Sequence, residues 1–334
     1  MTMLPISRRK TLALILALSL TARVQAQDLH PVTVALDWTP NTNHIGLYAA
    51  REKGFYAEAG LDVQILPYTD TAAGTLVANR VADFGVLGAI SLFTQRAAGA
   101  DLKATYAVVQ TETGRLVFNA GRTDIRRPKD LDGLTYGGFG SDWENALIAT
   151  MIRQDGGTGS FETVTLGTSA YEALANGSVD FTLEVYTWEG VKAELEGVAQ
   201  RAFRYADYGV PDQHTTFLGS SEAYLNENPE DAAAFTEATR RGYAFAADHP
   251  EAAADILIGA NSDALTDRPL ILASLQALIE GHYLRDAEGN IGTIDPAKID
   301  ALGDYLFTSG ILHDADGKAL TEKPDFSAYF SNAY

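Results

Sequence analysis

Apolar residues recur along this chain in two alternating rhythms. Short apolar-rich runs at Val32–Leu36, Leu61–Leu66, Ala104–Val109 and Arg115–Phe118 read as strands, and Asp83–Val86 as a short buried strand. Between them, Ile45–Lys53, Thr71–Asn79 and Ser91–Ala98 carry helical spacing, with Gly54 and Gly99 placed to close the first and third. Strand and helix in alternation predict an α/β fold built on a doubly wound parallel sheet. Ligands of such sheets gather at the carboxyl ends of the strands.

The rhythm breaks at Gly121–Leu131, a basic stretch punctuated by Pro128, and then restarts. Leu134–Tyr136, Glu162–Leu166 and Phe181–Val185 read as strands, and Asn145–Arg153 and Ala170–Ala175 as helices, followed by Phe203–Tyr205 and the loop Tyr208–Asp212. Thr215–Leu218 is expected to return as a strand to the first lobe. Four helical stretches close the chain at Pro229–Ala247, Pro250–Ile258, Pro269–Leu284 and Pro296–Ser309, each with proline near its start. The predicted organisation is two lobes, 27–118 with 218–334 and 119–217 between them. Two such lobes, crossed twice by the chain, make a cleft with a hinge.

The first residues change the picture of where the protein acts. Arg8-Arg9-Lys10 precedes an apolar run, Thr11–Leu20, that is too short for a resident membrane helix. Small residues at Val24-Gln25-Ala26 predict a cleavable signal peptide, 1–26, and a periplasmic mature chain. Ser7–Leu12 partly matches a twin-arginine export signal, so the general secretory and twin-arginine routes both stay open. The chain has no cysteine, hence no lipid-anchoring thiol and no disulfide framework. Cleavage removes Arg8, Arg9, Lys10 and Arg23 and no acid, taking the net charge from −19 to −23. So acidic a chain is not expected to neutralise nucleic-acid phosphates or to adhere to anionic lipid. The remaining length, about 308 residues, suffices for two lobes of about 150. A monomer free of the membrane is expected.

Candidate chemistry concentrates at the end of the first strand. Asp37-Trp38-Thr39-Pro40-Asn41-Thr42-Asn43-His44 sets an acid, an indole, amides and an imidazole side by side. A flat stacking surface beside hydrogen-bonding groups suits a planar, nitrogen-rich small molecule. Helix capping by Asp37 and Asn41 would explain the turn alone, without accounting for Trp38 and His44. In the second lobe Glu184, Tyr186, Trp188 and Glu189 cluster at a strand end, facing the place expected for Trp38. Glu184 and Tyr186 alternate and should share one face. Glu189 also fits as an acid in a first helical turn, and Trp188 also fits as core. The loop Gly137–Ser141 opens a helix and should line the cleft through Gly138. Ser141 and Glu144 have the spacing of a capping box, and with Asp142 these acids would repel a phosphate there. An unphosphorylated ligand is therefore expected.

Four segments carry a resemblance: Leu36–His44, Gly54–Val63, Gly137–Ser141 and Tyr186–Val191, supported by Gly209-Val210-Pro211-Asp212. The chain resembles bacterial periplasmic solute-binding proteins of the SsuA/THI5-like group, most of all those that bind thiamine pyrimidine precursors. The resemblance implies a two-lobed periplasmic binding protein fold of type II, with the ligand between lobes. It implies aromatic contacts from Trp38 and Tyr186, polar contacts from Asn41, His44 and Glu189, and an ABC-type permease and ATPase as partners. No cofactor or metal is implied.

The chain departs from that pattern at three places near the expected cleft. Leu87-Gly88-Ala89 stands where Ser-Tyr-Gln is usual, Thr111-Glu112 where His-Pro is common, and Gln213-His214 where an aromatic pair is usual. The cargo can accordingly be a hydroxymethyl- or formylaminopyrimidine, riboflavin, or another small solute. A pyrimidine-synthesising enzyme of the fungal kind is disfavoured, because that reaction uses a cysteine-rich iron motif. A ligand-sensing input module shares the same signature. His30, His214, His249, His282 and His313 read as surface or packing residues.

Overall fold

The computed structural model describes residues 29–334, so the expected signal peptide, 1–26, lies outside the described residues. The chain first lays down β1 (His30–Ala35), α1 (Ile45–Glu52), α2 (Phe55–Glu58), β2 (Leu61–Leu66), α3 (Ala73–Ala78), β3 (Phe84–Gly88), α4 (Ala89–Ala97) and β4 (Lys103–Val109). It crosses over into β5 (Gly114–Asn119), β6 (Thr135–Gly138), α5 (Asp142–Gln154), β7 (Glu162–Thr165), α6 (Ala170–Ala175), β8 (Phe181–Val185), α7 (Val191–Leu195) and β9 (Gln200–Arg204). It then returns through β10 (Thr216–Ser220) to α8 (Glu222–Glu227), α9 (Pro229–Asp248), α10 (Pro250–Ala260), α11 (Arg268–Glu280) and α12 (Pro296–Thr308).

Two five-stranded sheets result, ordered β2-β1-β3-β10-β4 and β7-β6-β8-β5-β9. They are mixed, which corrects the expectation of wholly parallel sheets. β10 runs antiparallel to β3 and β4, and β5 antiparallel to β8 and β9. The cause is the crossing itself. Strands β1 to β3 end at the cleft, but β5 and β10 start there, having just arrived from the other sheet, and must run away from it.

Burial follows the pleat. Val32, Val34, Phe84, Val86, Tyr106 and Val108 face one cluster with α1, α9, α10 and α11, while Ala35, Leu87, Ala104 and Ala107 face another with α4 and α12. Phe84 and Phe235 stack at 4.1 Å between centroids in the first of these. The closest helix packing is α1 on α9. A Cβ on Gly242 would lie 2.1 Å from the Gly46 carbonyl oxygen, and one on Gly46 would lie inside the Tyr243 ring. Glycine is required at that crossing for close approach.

Proline starts the helices as expected at Pro229, Pro250 and Pro296, and Asp267 caps α11 through Leu270 N at 3.0 Å. Helix α11 stops at Glu280, short of the predicted Leu284, because the chain turns at Gly281 and His282 takes φ 57°. Beyond β8 the backbone forms a π-helical turn, Tyr186–Gly190, before α7.

A candidate ligand-binding cleft between the two sheets

Strand β1 ends at the cleft, and a tightly bonded loop follows it. Asn41 caps the next turn, its Oδ1 accepting from Asn43 N at 2.9 Å, and its Nδ2 donates to Thr39 O at 3.0 Å. Asn41 N donates to His44 Nδ1 at 3.2 Å, which leaves Nε2 as the nitrogen that donates to Asp37 Oδ1 at 2.9 Å. His44 is buried behind this chain of bonds. Its position fits a role in holding Asp37 and Asn41, both of which line the cavity. Trp38 projects at the edge, 41% exposed, tilted against Tyr68 at 5.3 Å between centroids.

The cavity between the sheets measures about 460 Å³, a size that suits a small molecule. Its second wall comes from Phe139, Trp143, Tyr171 and the odd-numbered side of β8, Leu183 and Val185, continued by Thr187, Trp188 and Glu189. Glu189 Oε2 accepts from Val185 N at 3.2 Å, and burial pushes its carboxyl up to about 6. The π turn carries Trp188 and Glu189 round to the cavity after the strand's alternation has ended.

The floor is made by the crossing segments. Glu112 and Gln213, on the segments between β4 and β5 and between β9 and β10, are 8% and 5% exposed. Glu112 Oε1 accepts from Gly114 N at 2.6 Å and Oε2 from Gln213 Nε2. Burial raises the Glu112 carboxyl above its ordinary value. Gly114 has no room for a side chain, since a Cβ there would sit 2.0 Å from the ring of Tyr205, which also lines the cavity.

Five of the ten candidate residues, Asp37, Trp38, Asn41, Trp188 and Glu189, thus share one cavity wall or the other. His44 stands behind Asp37. The other four lie elsewhere. Glu184 is buried and paired with Arg115, whose guanidinium covers the Tyr186 ring at 4.2 Å. These two share a face, as the alternation requires, but it is the face turned away from the cavity. Gly138 is also turned away, with a Cβ there meeting the Tyr136 hydroxyl at 1.9 Å. Glu144 is the reciprocal partner of the capping box, accepting from Ser141 N at 2.9 Å and Phe139 N at 3.3 Å. Its carboxylate already occupies the amides an incoming phosphate would need.

Sequence reasoning passed over Phe139, Trp143, Tyr171, Glu112 and Gln213 as site residues. For Glu112, Gln213 and the Gly88-Ala89 pair a signal existed, because they stand where the chain departs from the expected pattern, and all four line the cavity. His214, beside Gln213, is a packing residue: its Nε2 accepts from Asp295 N at 2.9 Å, and burial lowers its pKa to about 4.

A family model described as NMT1/THI5 like matches residues 41–253. The formylaminopyrimidine-binding protein of Halalkalibacterium halodurans is 31% identical over 260 residues, 75% of this chain and 78% of that protein. The 4-amino-5-hydroxymethyl-2-methylpyrimidine phosphate synthase of Legionella pneumophila is 25% identical over 233 residues, 68% of this chain and 72% of that enzyme. Among solved structures, the periplasmic aliphatic sulphonate binding protein SsuA of Escherichia coli superposes with a TM-score of 0.67 at 17% identity, covering 90% of this chain and 97% of its own. That likeness establishes the periplasmic binding protein fold, and with the loop and cleft described above the sequence matches establish that the chain belongs to the NMT1/THI5-like family.

Proposed function

We propose that this protein captures a planar nitrogen heterocycle in the periplasm for an ABC importer, the cargo being a thiamine pyrimidine precursor of the hydroxymethyl- or formylaminopyrimidine kind. The observation that carries the reading is the cavity itself. It is walled by Trp38, Phe139, Trp143, Tyr171 and Trp188, with the polar groups of Asp37, Asn41, Glu112, Gln213 and Glu189 distributed around it. Aromatic walls hold a flat ring, and fixed carboxylate and amide groups read its edge. The similarity to a formylaminopyrimidine-binding protein supports the same choice of cargo.

The ligand would stack on Trp38 and draw the lobe bearing Trp188 and Glu189 onto it, with 27–118 and 218–334 moving as one body against 119–217. The closed form would then be presented to a membrane permease and its ATPase. Binding without chemistry is favoured over synthesis. The chain has no cysteine to build a cysteine-rich iron motif, and Glu144 fills the α5 amino terminus where a phosphate would otherwise bind.

Thermal unfolding of the mature chain against 4-amino-5-hydroxymethyl-2-methylpyrimidine, its formylamino counterpart, riboflavin and small sulfonates tests this. A ligand at a hundred times its Kd adds about 2.7 kcal/mol, a rise of roughly several degrees. A rise with a pyrimidine alone supports the reading. A rise only with riboflavin or a sulfonate replaces the cargo.

A further inference from the structure

We propose that Glu112 and Gln213 form a specificity pair that reads a hydrogen-bond donor, an amino substituent, on the edge of the bound ring. This rests on the cleft holding a nitrogen heterocycle.

The argument begins with the hydrogen-bond account at the cavity floor. Glu112 Oε1 accepts from Gly114 N and Oε2 from Gln213 Nε2, and the Thr113 amide is also directed at the carboxylate. A carboxylate has about four acceptor positions, so one is left for a ligand. The Gln213 carbonyl oxygen, Oε1, is buried and meets no donor of the chain. Nearby cations are already committed: Arg115 bonds Glu184, while Lys298 bonds Asp212 and the Gln110 carbonyl oxygen. The floor thus presents acceptors with no cation to saturate them, in a space otherwise walled by aromatic rings. Buried acceptors left unsatisfied are costly, and a ligand that supplies N–H groups removes that cost. A ligand whose edge offers only acceptors would face lone pairs and be rejected.

The pair is also built to hold its position. Asp212 Oδ1 accepts from Glu112 N at 2.9 Å, so the two crossing segments are tied by backbone as well as side chain. Tyr205 packs on Gly114 and fixes the turn that supplies Oε1 with its donor. Discrimination by residues so fixed is stronger than discrimination by a mobile surface side chain.

Isothermal titration calorimetry with two probes tests the proposal: 4-amino-5-hydroxymethyl-2-methylpyrimidine and the same compound lacking the 4-amino group. The unmodified chain should bind the amino compound at least about tenfold more tightly. Glu112→Gln and Gln213→Leu should each compress that ratio to within about threefold, mainly by weakening the amino compound. Trp38→Ala should weaken both probes and preserve the ratio. Thermal unfolding establishes that each variant is folded, and either variant suffices if the other is not. If the ratio survives in a folded variant of the pair, the specificity role is overturned while the heterocycle reading stands. If the unmodified chain binds neither probe, both fall together.

Discussion

Replacing Trp38 by alanine separates the stacking platform from the core. The indole is 41% exposed at the cleft edge and rests on Tyr68, whereas Trp188 is half-buried against the main core cluster. A ring laid on Trp38 would cover about 50 Å² of indole and a similar area of itself, worth about 2.5 kcal/mol at about 25 cal/mol per Å². Stacking geometry adds about 1 kcal/mol. Ordering of the ligand and of the indole takes back about 1.5 kcal/mol. The net is about 2 kcal/mol, or about thirtyfold in Kd. Stability should fall by less than about 1 kcal/mol, since much of the ring already faces water. Trp188→Ala should do the opposite, costing about 3 kcal/mol of stability through the cavity it leaves and less in affinity. Calorimetry with 4-amino-5-hydroxymethyl-2-methylpyrimidine, paired with thermal unfolding of each variant, reads both quantities. The reasoning is refuted if Trp38→Ala binds within twofold of the unmodified chain, or if a folded Trp188→Ala loses more affinity.

The Glu189 carboxyl, ordinarily at 4.5, stands at about 6 in the folded chain because of burial. A carboxyl raised on folding contributes stability below about pH 4.5 and loses it as pH climbs through 6, by about 2 kcal/mol. Glu189→Gln should therefore flatten that part of the stability–pH curve, leaving a residual slope from Glu112 and Glu184, which are raised in the same direction. An unchanged slope in denaturant titrations at pH 4.5 and 7 would remove Glu189 as its source. Gly242→Ala should cost about 3 kcal/mol by pushing α9 off α1. Gly259→Ala, in α10 with nothing within 4 Å of the added methyl, should gain up to about 1 kcal/mol; equal melting temperatures for the two would contradict the packing account. Ser274 Oγ meets Thr42 Oγ1 at 2.6 Å and donates to the Thr187 carbonyl, joining α11 to both cleft walls. Ser274→Ala should lower stability by about 1–2 kcal/mol, a loss readable in chemical denaturation.

What the sequence could reveal divides along the range of the interactions involved. The capping box at Ser141 and Glu144 was legible because it is a contact between neighbours in the chain. The Trp38 loop was legible for a related reason: it directly follows a strand whose end must face the cleft. The direction of β5 and β10 was not legible, because a strand carries the same apolar pattern whichever way it runs. Helix α11 overran in the reading because the apolar spacing continues through Tyr283 and Leu284, which pack against the same core after the helix has ended.

The sequence by itself determined the two-lobed α/β architecture and the aromatic loop at the first strand end. It also determined that Glu184 and Tyr186 share a face, since alternation is a property of the strand. Only the tertiary structure decided which face that is. β8 alternates apolar Phe181, Leu183 and Val185 with polar Thr182 and Glu184, yet both sides are covered, Leu183 and Val185 at the cavity and Glu184 beneath Arg115, so the polarity that marks its two sides does not say which one meets the ligand. Glu112 and Gln213, 101 positions apart, become a pair only because the chain crosses between the sheets twice at one place. That proximity is set by closure of the whole fold, and no local pattern encodes it.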